Sequence, residues 1–284
     1  MKISLIVALS LILIAAIVLV CLQIFKTKGQ SRDEIDVKPS ENTEKEAEET
    51  TKIEDCSPLE SLFILVGNLK KITSYSATVS GEVIVGGLNY TQSVSGEKYI
   101  SDGKSLYVSR STSFLKNMAK QLYIENDVAL VREGNPKTEK YDDTVTAYTI
   151  EEYLQEYGID YRELSNYSLN ENTITDAKLV SVADGIYTYE YEIDVATGVD
   201  GYRVNMYKMG DLSSLPTMKK CTLTVSMTSD FMPVTVTQAD EYSVDYVLLE
   251  AECVSTLTET FEKINDEFIE IPDNEFFTEH LNDN

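Results

Sequence analysis

Histidine occurs once in the 284 residues, at His280, and tryptophan does not occur at all. One imidazole, placed at the end of the chain, excludes Ser-His and Cys-His nucleophile systems and a His-ligated zinc site. Cysteine is almost as scarce: Cys21, Cys56, Cys221 and Cys253 stand in no C-x-x-C spacing, which rules out a disulfide scaffold and a thiol redox motif. G-x-S-x-G, H-E-x-x-H, a Walker loop, G-x-G-x-x-G and a complete EF-hand loop are all missing. Positive charge is also short, with 24 Lys and Arg against 48 Asp and Glu. Positions 56–284 carry 38 of the acidic and 17 of the basic residues, a balance that repels phosphate backbones and anionic headgroups, so nucleic acid is not a partner. The adjacent carboxylates Glu151-Glu152 and Asp240-Glu241 do not make a hydrolytic pair, because neighbouring residues of a strand face opposite ways. No catalytic residue, metal site or cofactor is expected, and the chain does not read as an enzyme.

What the sequence does have is one long apolar run. Ile3 to Phe25 holds Ser4, Ser10 and Gln23 as its only polar residues and no charge. As a helix rising about 1.5 Å per residue it reaches roughly 34 Å, enough for a hydrocarbon core of about 30 Å. A cleaved signal peptide would have a shorter apolar core followed by small residues, whereas Gly29 and Ser31 lie beyond Lys26 and Lys28. Lipidation at Cys21 would need a small residue before it, and Val18, Leu19 and Val20 stand there. Residues 1–28 are therefore expected to be a single-pass transmembrane anchor, with the cell membrane as partner through residues 3–25. Lys2 flanks one end and Lys26, Lys28 and Arg32 the other, so charge alone does not orient it. Residues 29–55 contain only Ile35, Val37 and Ile53 as large aliphatics and no aromatic, and read as an acidic, disordered linker.

Residues 56–284 then read as a single domain of α+β class. Ser57-Pro58-Leu59-Glu60 is a capping box with proline at the first helical position, and Leu59, Leu62, Phe63, Val66 and Leu69 continue at helical spacing over 58–71. Alternation predicts strands over 75–85 and 90–100, a turn at Asp102-Gly103 and a strand at Leu106 to Val108. Ser113 can cap a short helix in which Phe114, Leu115, Met118 and Leu122 share a face, followed by short strands near 122–124 and 128–131. That segment is either ordinary core or a flap over a ligand cavity. Thr149-Ile150-Glu151-Glu152 predicts a second capped helix over 150–157, ended by Gly158.

Strands are expected again at 174–182 and 186–194, joined by Asp184-Gly185. The second puts Tyr187, Tyr189, Tyr191 and Ile193 on one face, as cover for a half-buried sheet or as the lining of a ligand site. A helix is expected over 199–209. A long meander follows: Cys221 to Met227, Val234 to Val247 and Cys253 to Ile264, with Cys253, Leu257 and Phe261 on one side. Cys221 and Cys253 fall two strands apart, nearly 10 Å, too far for a relaxed bridge, so free thiols are expected. The acidic stretch after Pro272 reads as a frayed tail.

This order of elements, with the strings NLKKITSYSATVSGEV, GEKYISDGKSLYV, TYEYEID, TLTVSMTSDFMPVTVTQADEY and TFEKINDEFIEIP, resembles the LolA/LppX-like lipid- and lipoprotein-carrier superfamily over most of 57–272. It looks closest to membrane-tethered or lipoprotein members of Gram-positive bacteria. The resemblance implies a strongly curved antiparallel sheet, a half-barrel, wrapped around a few helices with apolar space between them for acyl chains. It also implies that the bulk of the chain is extracytoplasmic, and makes Phe114, Leu115, Met118, Tyr187, Tyr189 and Tyr191 the candidate ligand-binding residues. The chain departs from the family in having no lipobox and no Trp or basic rim for an anionic headgroup. Two functions stay open: a membrane-anchored extracytoplasmic protein that binds a lipid or other apolar ligand, and a sensory or partner-binding ectodomain of the cell envelope.

Overall fold

The computed structural model describes residues 51–86, 90–112, 117–138, 140–210, 212–246, 249–265 and 269–282. The expected membrane span, most of the linker, and Ser113, Phe114 and Leu115 lie outside the described residues. Thr50–Asn284 forms one compact unit, and among the described residues no helix is long and apolar enough to cross a membrane.

A short 3-10 turn, Ile53–Asp55, leads into α1 (Pro58–Leu69). The Ser57 hydroxyl accepts from the Glu60 amide while the Glu60 carboxylate accepts from the Ser57 amide at 2.8 Å, so the capping box forms as the sequence predicts. Strands β1 (Ser74–Val85), β2 (Tyr90–Ser101), β3 (Lys104–Thr112), β4 (Asn117–Glu125), β5 (Val128–Asn135), β6 (Lys140–Tyr141) and β7 (Thr146–Thr149) follow. Then come α2 (Ile150–Tyr157), β8 (Ile174–Ala183), β9 (Ile186–Ile193), α3 (Asp200–Gly210), β10 (Thr217–Thr228), β11 (Pro233–Tyr246), β12 (Leu249–Glu262) and α4 (Asn274–Asn282).

All twelve strands join one open, curved antiparallel sheet in the order β6-β5-β4-β3-β2-β1-β12-β11-β10-β9-β8, with β7 also on β5. The hairpins β2/β3, β4/β5 and β8/β9 each turn on two residues of positive φ: Asp102-Gly103, Asn126-Asp127 and Asp184-Gly185. That is the backbone twist which suits a tight hairpin, and Gly and Asp or Asn tolerate it.

Between β8 and β1 one face of the sheet is covered and the other is bare. The inner face carries Tyr189, Tyr191, Leu223, Val225, Val236, Cys253 and Phe261, and α1 adds Leu62, Leu65 and Leu69 to the same apolar cluster. On the outer face hydroxyl side chains line up in rows, as in the register Thr224–Thr237–Thr258–Ser80–Ser95. Thr237 and Thr258 are hydrogen-bonded at 3.0 Å.

Across β3 to β5 both faces are covered. α2 lays Tyr153 on Leu122, Ile124, Ala129 and Val131, while α4 lays Phe277 on Leu106, Val108, Tyr123 and Leu130 from the other side. Two sequence expectations are corrected here. Residues 117–122 belong to strand β4 and not to a short helix, and the stretch after Pro272 is not frayed but folds into α4. Phe277 is fully buried and stacks on Tyr123 at 4.8 Å with the rings 2° from parallel. His280 lies in this helix, half-buried, with Nδ1 2.9 Å from the Phe276 carbonyl.

Candidate functional site

The inner face is apolar at both ends of the sheet and polar at its centre. Antiparallel register places Lys98 on β2 beside Ala77 on β1, Val79 beside Glu259 on β12, Leu257 beside Gln238 on β11, and Ser255 beside Asp240. Directly opposed residues share a face, so all of these polar side chains point towards the helices. Lys98 reaches over β1 to bond Glu259 at 2.6 Å, and both are buried. Burial raises the Glu259 carboxyl above its ordinary range, and the Lys98 ammonium offsets part of that rise.

Asp240 is 2% exposed and faces no cation in its hydrogen-bond shell. The Tyr167 hydroxyl donates to Oδ1, while the Tyr202 and Ser255 hydroxyls each donate to Oδ2 at 3.0 Å. Burial pushes this carboxyl up as well, against hydrogen bonds from Tyr167, Cys221, Tyr202 and Ser255 that favour the charged form. Burial also pushes the Cys221 thiol up, with Asp240 adding to the effect, so it stays protonated and is a poor nucleophile. Cys56, Cys221 and Cys253 are free thiols. Among the described residues no three of His, Cys, Asp and Glu gather to hold a metal ion.

The segment 158–173, between α2 and β8, lies across this polar centre as a strap. It starts at Gly158, whose φ of 80° ends α2 in the left-handed conformation. Gly158 and Gly201 at the start of α3 approach so closely that a Cβ on either would collide with the other's carbonyl. Tyr161 stacks on Tyr107 at 4.0 Å, and its hydroxyl accepts from Asn205 Nδ2 at 3.2 Å. The Asn166 amide donates to Gln238 Oε1 at 3.3 Å, and Tyr167 reaches Asp240. Ordered loops of this length inside a domain are unusual without a function. Beneath and beside the strap are two small, partly open spaces of about 10 Å³ each, both lined by Tyr107, Leu122 and Tyr161. Three buried polar atoms at this centre, Tyr75 Oη, Gln238 Nε2 and Glu259 Oε1, have no hydrogen-bond partner.

Of the candidate residues named from sequence, the three tyrosines lie together on β9, and Met118 lies apart from them. Tyr187, Tyr189 and Tyr191 do point to the helix-bearing face, where α1 meets them: the Tyr191 hydroxyl donates to the Pro58 carbonyl at 2.8 Å, and Tyr187 donates to Glu54. Tyr189 and Tyr191 are buried within the apolar cluster. Met118 is half-buried on β4, opposite Ser111, and six strands separate β4 from β9. Phe114 and Leu115 lie outside the described residues. Sequence reading passed over Lys98, Glu259 and Gln238, and weighed Asp240 only as half of a carboxylate pair that it set aside. Their signal was a polar residue in the apolar phase of a strand, most plainly in the alternation Val236, Gln238, Asp240, Tyr242, Val244.

No family model matches the sequence, and no curated protein is similar to it. Among solved structures the chain is similar to the lipoprotein LppX of Mycobacterium tuberculosis, at 12% identity and a TM-score of 0.40, over 75% of this chain and 97% of that one. It is also similar to a DUF1329 family protein from Desulfovibrio piger, at 9% identity and a TM-score of 0.29, over 78% and 98%. The ywiB protein of Bacillus subtilis follows at 9% identity and a TM-score of 0.20, over 69% and 98%.

Proposed function

We propose that the chain is a membrane-tethered, extracytoplasmic binding protein that takes an apolar ligand, such as an acyl chain, between the inner face of its sheet and the strap. The observation that carries this reading is that the helix-bearing face is not one continuous core. Two apolar clusters, one under α1 and one under α2, are separated by the polar centre, and the strap crosses it on a tyrosine stack and a few hydrogen bonds, with Leu164 and Tyr167 seated in the cluster under α1. Lifting the strap unseats Leu164 and Tyr167 and joins the two small cavities along Leu122 and Tyr107. Cavities of about 10 Å³ hold no acyl chain, so uptake needs that movement. The filled interior also favours a second reading, an ectodomain that binds a protein partner and no small ligand.

Full-length protein extracted from membranes in mild detergent tests the first reading. Native mass spectrometry should find co-purified lipid, and a fluorescent acyl probe should bind saturably. Tyr161→Ala, which removes the stack, should speed probe entry, and Leu122→Glu should abolish binding in a protein that still folds. No lipid together with no saturable uptake rejects the carrier reading. Recovery of the protein from the soluble fraction without detergent, or its protection from protease on intact cells, rejects the tether or the outside location.

A further inference from the structure

The two edges of the sheet are finished differently. At one end β5 is paired over most of its length by β6 and β7, short strands of two and four residues. Short edge strands offer little template for another chain. At the other end stands β8, ten residues long, with no strand beyond it among the described residues. Leu179, Val180 and Val182 on this strand are 49%, 53% and 52% exposed. Leu179 and Val182 lie opposite Tyr189 and Tyr187, which places them on the helix-bearing side of the sheet, and Val180 sits in a bulge between Leu179 and Ser181. The strand thus carries open backbone hydrogen-bonding groups and an apolar row beside an apolar core.

The charge around this edge is mostly negative. Asp176 pairs with Glu192 across β8 and β9, Asp184 sits in the turn, and Glu190 engages Lys178 at 2.6 Å. The strand's own cation, the usual guard of an exposed edge, is thereby occupied on the β9 side. A second copy of this chain carries a formal charge of −24, and like-charge repulsion disfavours it as the occupant. An extended segment with basic residues on one phase and aliphatic residues on the other satisfies both the charge and the apolar row.

We propose that β8 is a docking edge for an extended, basic and apolar segment of a partner protein, which adds to the sheet as a further strand. Main-chain hydrogen bonds to β8 would give affinity. Leu179 and Val182 would receive the aliphatic phase, and Asp176 and Glu192 the basic phase. The inference gives the partner-binding reading a surface and is independent of the apolar-ligand reading.

A capped peptide of alternating lysine and valine is the probe, with two controls: the same peptide with proline at its central valines, and a glutamate-for-lysine version. The full-length protein in detergent should bind the lysine–valine peptide, and amide exchange should slow within Thr175–Ser181 and nowhere else on the sheet. Proline cannot donate to the ladder, so the proline peptide should bind about tenfold more weakly, as should the lysine–valine peptide to Leu179→Lys. Unchanged exchange across β10 to β12 establishes that the variant is folded, and unchanged acyl-probe binding separates this edge from the proposed ligand site. Equal binding of the lysine–valine and proline peptides means that only the acidic surface attracts them, and overturns the proposal. So does protection that falls on another strand, or no binding at all.

Discussion

The β8-to-β1 half of the sheet and the β3-to-β5 part are built from the same element and stabilised in different ways. In the first, helices cover one face and hydroxyl rows meet water on the other, so apolar and polar residues alternate along each strand, as in Cys221 to Met227. In the second, α2 and α4 cover both faces, and Leu122, Tyr123 and Ile124 are consecutive buried residues, as are Ala129, Leu130 and Val131. A strand buried on both faces loses its alternation. The two parts meet at Lys98 and Glu259, a buried ion pair under the strap. One region is therefore layered about a single core and the other sandwiched, with polar contacts at the join.

Breaking the join should have the largest effect. Lys98→Met leaves Glu259 buried and uncompensated and should cost about 4 kcal/mol at neutral pH, whereas Lys98→Met with Glu259→Leu should recover most of it. Denaturant unfolding of both variants measures this, and a double variant no better than the single one would show that the pair is not coupled. The two parts should then differ in how they respond at their outer faces. Phe277→Ala empties the seat of α4 and should cost about 3 kcal/mol, while Thr258→Ala on the bare face should stay within about 0.5 kcal/mol. Similar losses at the two sites would erase the distinction between sandwiched and one-sided sheet.

A smaller effect, of fixed sign, concerns pH. Burial raises the Asp240 carboxyl in the folded chain above its ordinary value. Between the unfolded value, near about 4, and the raised folded one, the folded state holds the extra proton, so stability contributed by this group grows as pH falls through that window and is lost as pH rises above it. Asp240→Asn has no such proton. The difference in unfolding midpoint between wild type and Asp240→Asn should therefore shift in favour of wild type on mild acidification. A difference that is flat with pH, or of opposite slope, contradicts an elevated Asp240.

The same contrast explains which parts of the chain were legible. One-sided strands announce themselves by period two, and β1, β2, β8, β9, β10, β11 and β12 begin and end within a few residues of their sequence-based expectations, apart from an earlier start of β10 and β12. Local side-chain chemistry fixed α1 and α2, because Ser57 with Glu60 and Thr149 with Glu152 satisfy their own helix ends. Residues 117–121 of β4 read as a helix because Met118 and Leu122 fit a helical spacing as well as a strand, whereas its end, Leu122 to Ile124, reads as a strand from the sequence as well. α4 was missed because it is short and acidic, and its stability comes from seating Phe277 on Tyr123, a contact between residues far apart in the chain.

By itself, then, the sequence determined the capped helices, the tight turns and the one-sided strands, and with them the α+β class, since each depends on neighbours a few residues away. Only the tertiary structure decided that the tyrosine face of β9 is filled by α1, that the strap closes over a polar centre, and that β8 is left as an open edge. Lys98 and Glu259, Tyr167 and Asp240, and Tyr161 and Tyr107 are joined across long stretches of chain. No local pattern encodes which of those distant residues will share a face, because sheet order and register set it.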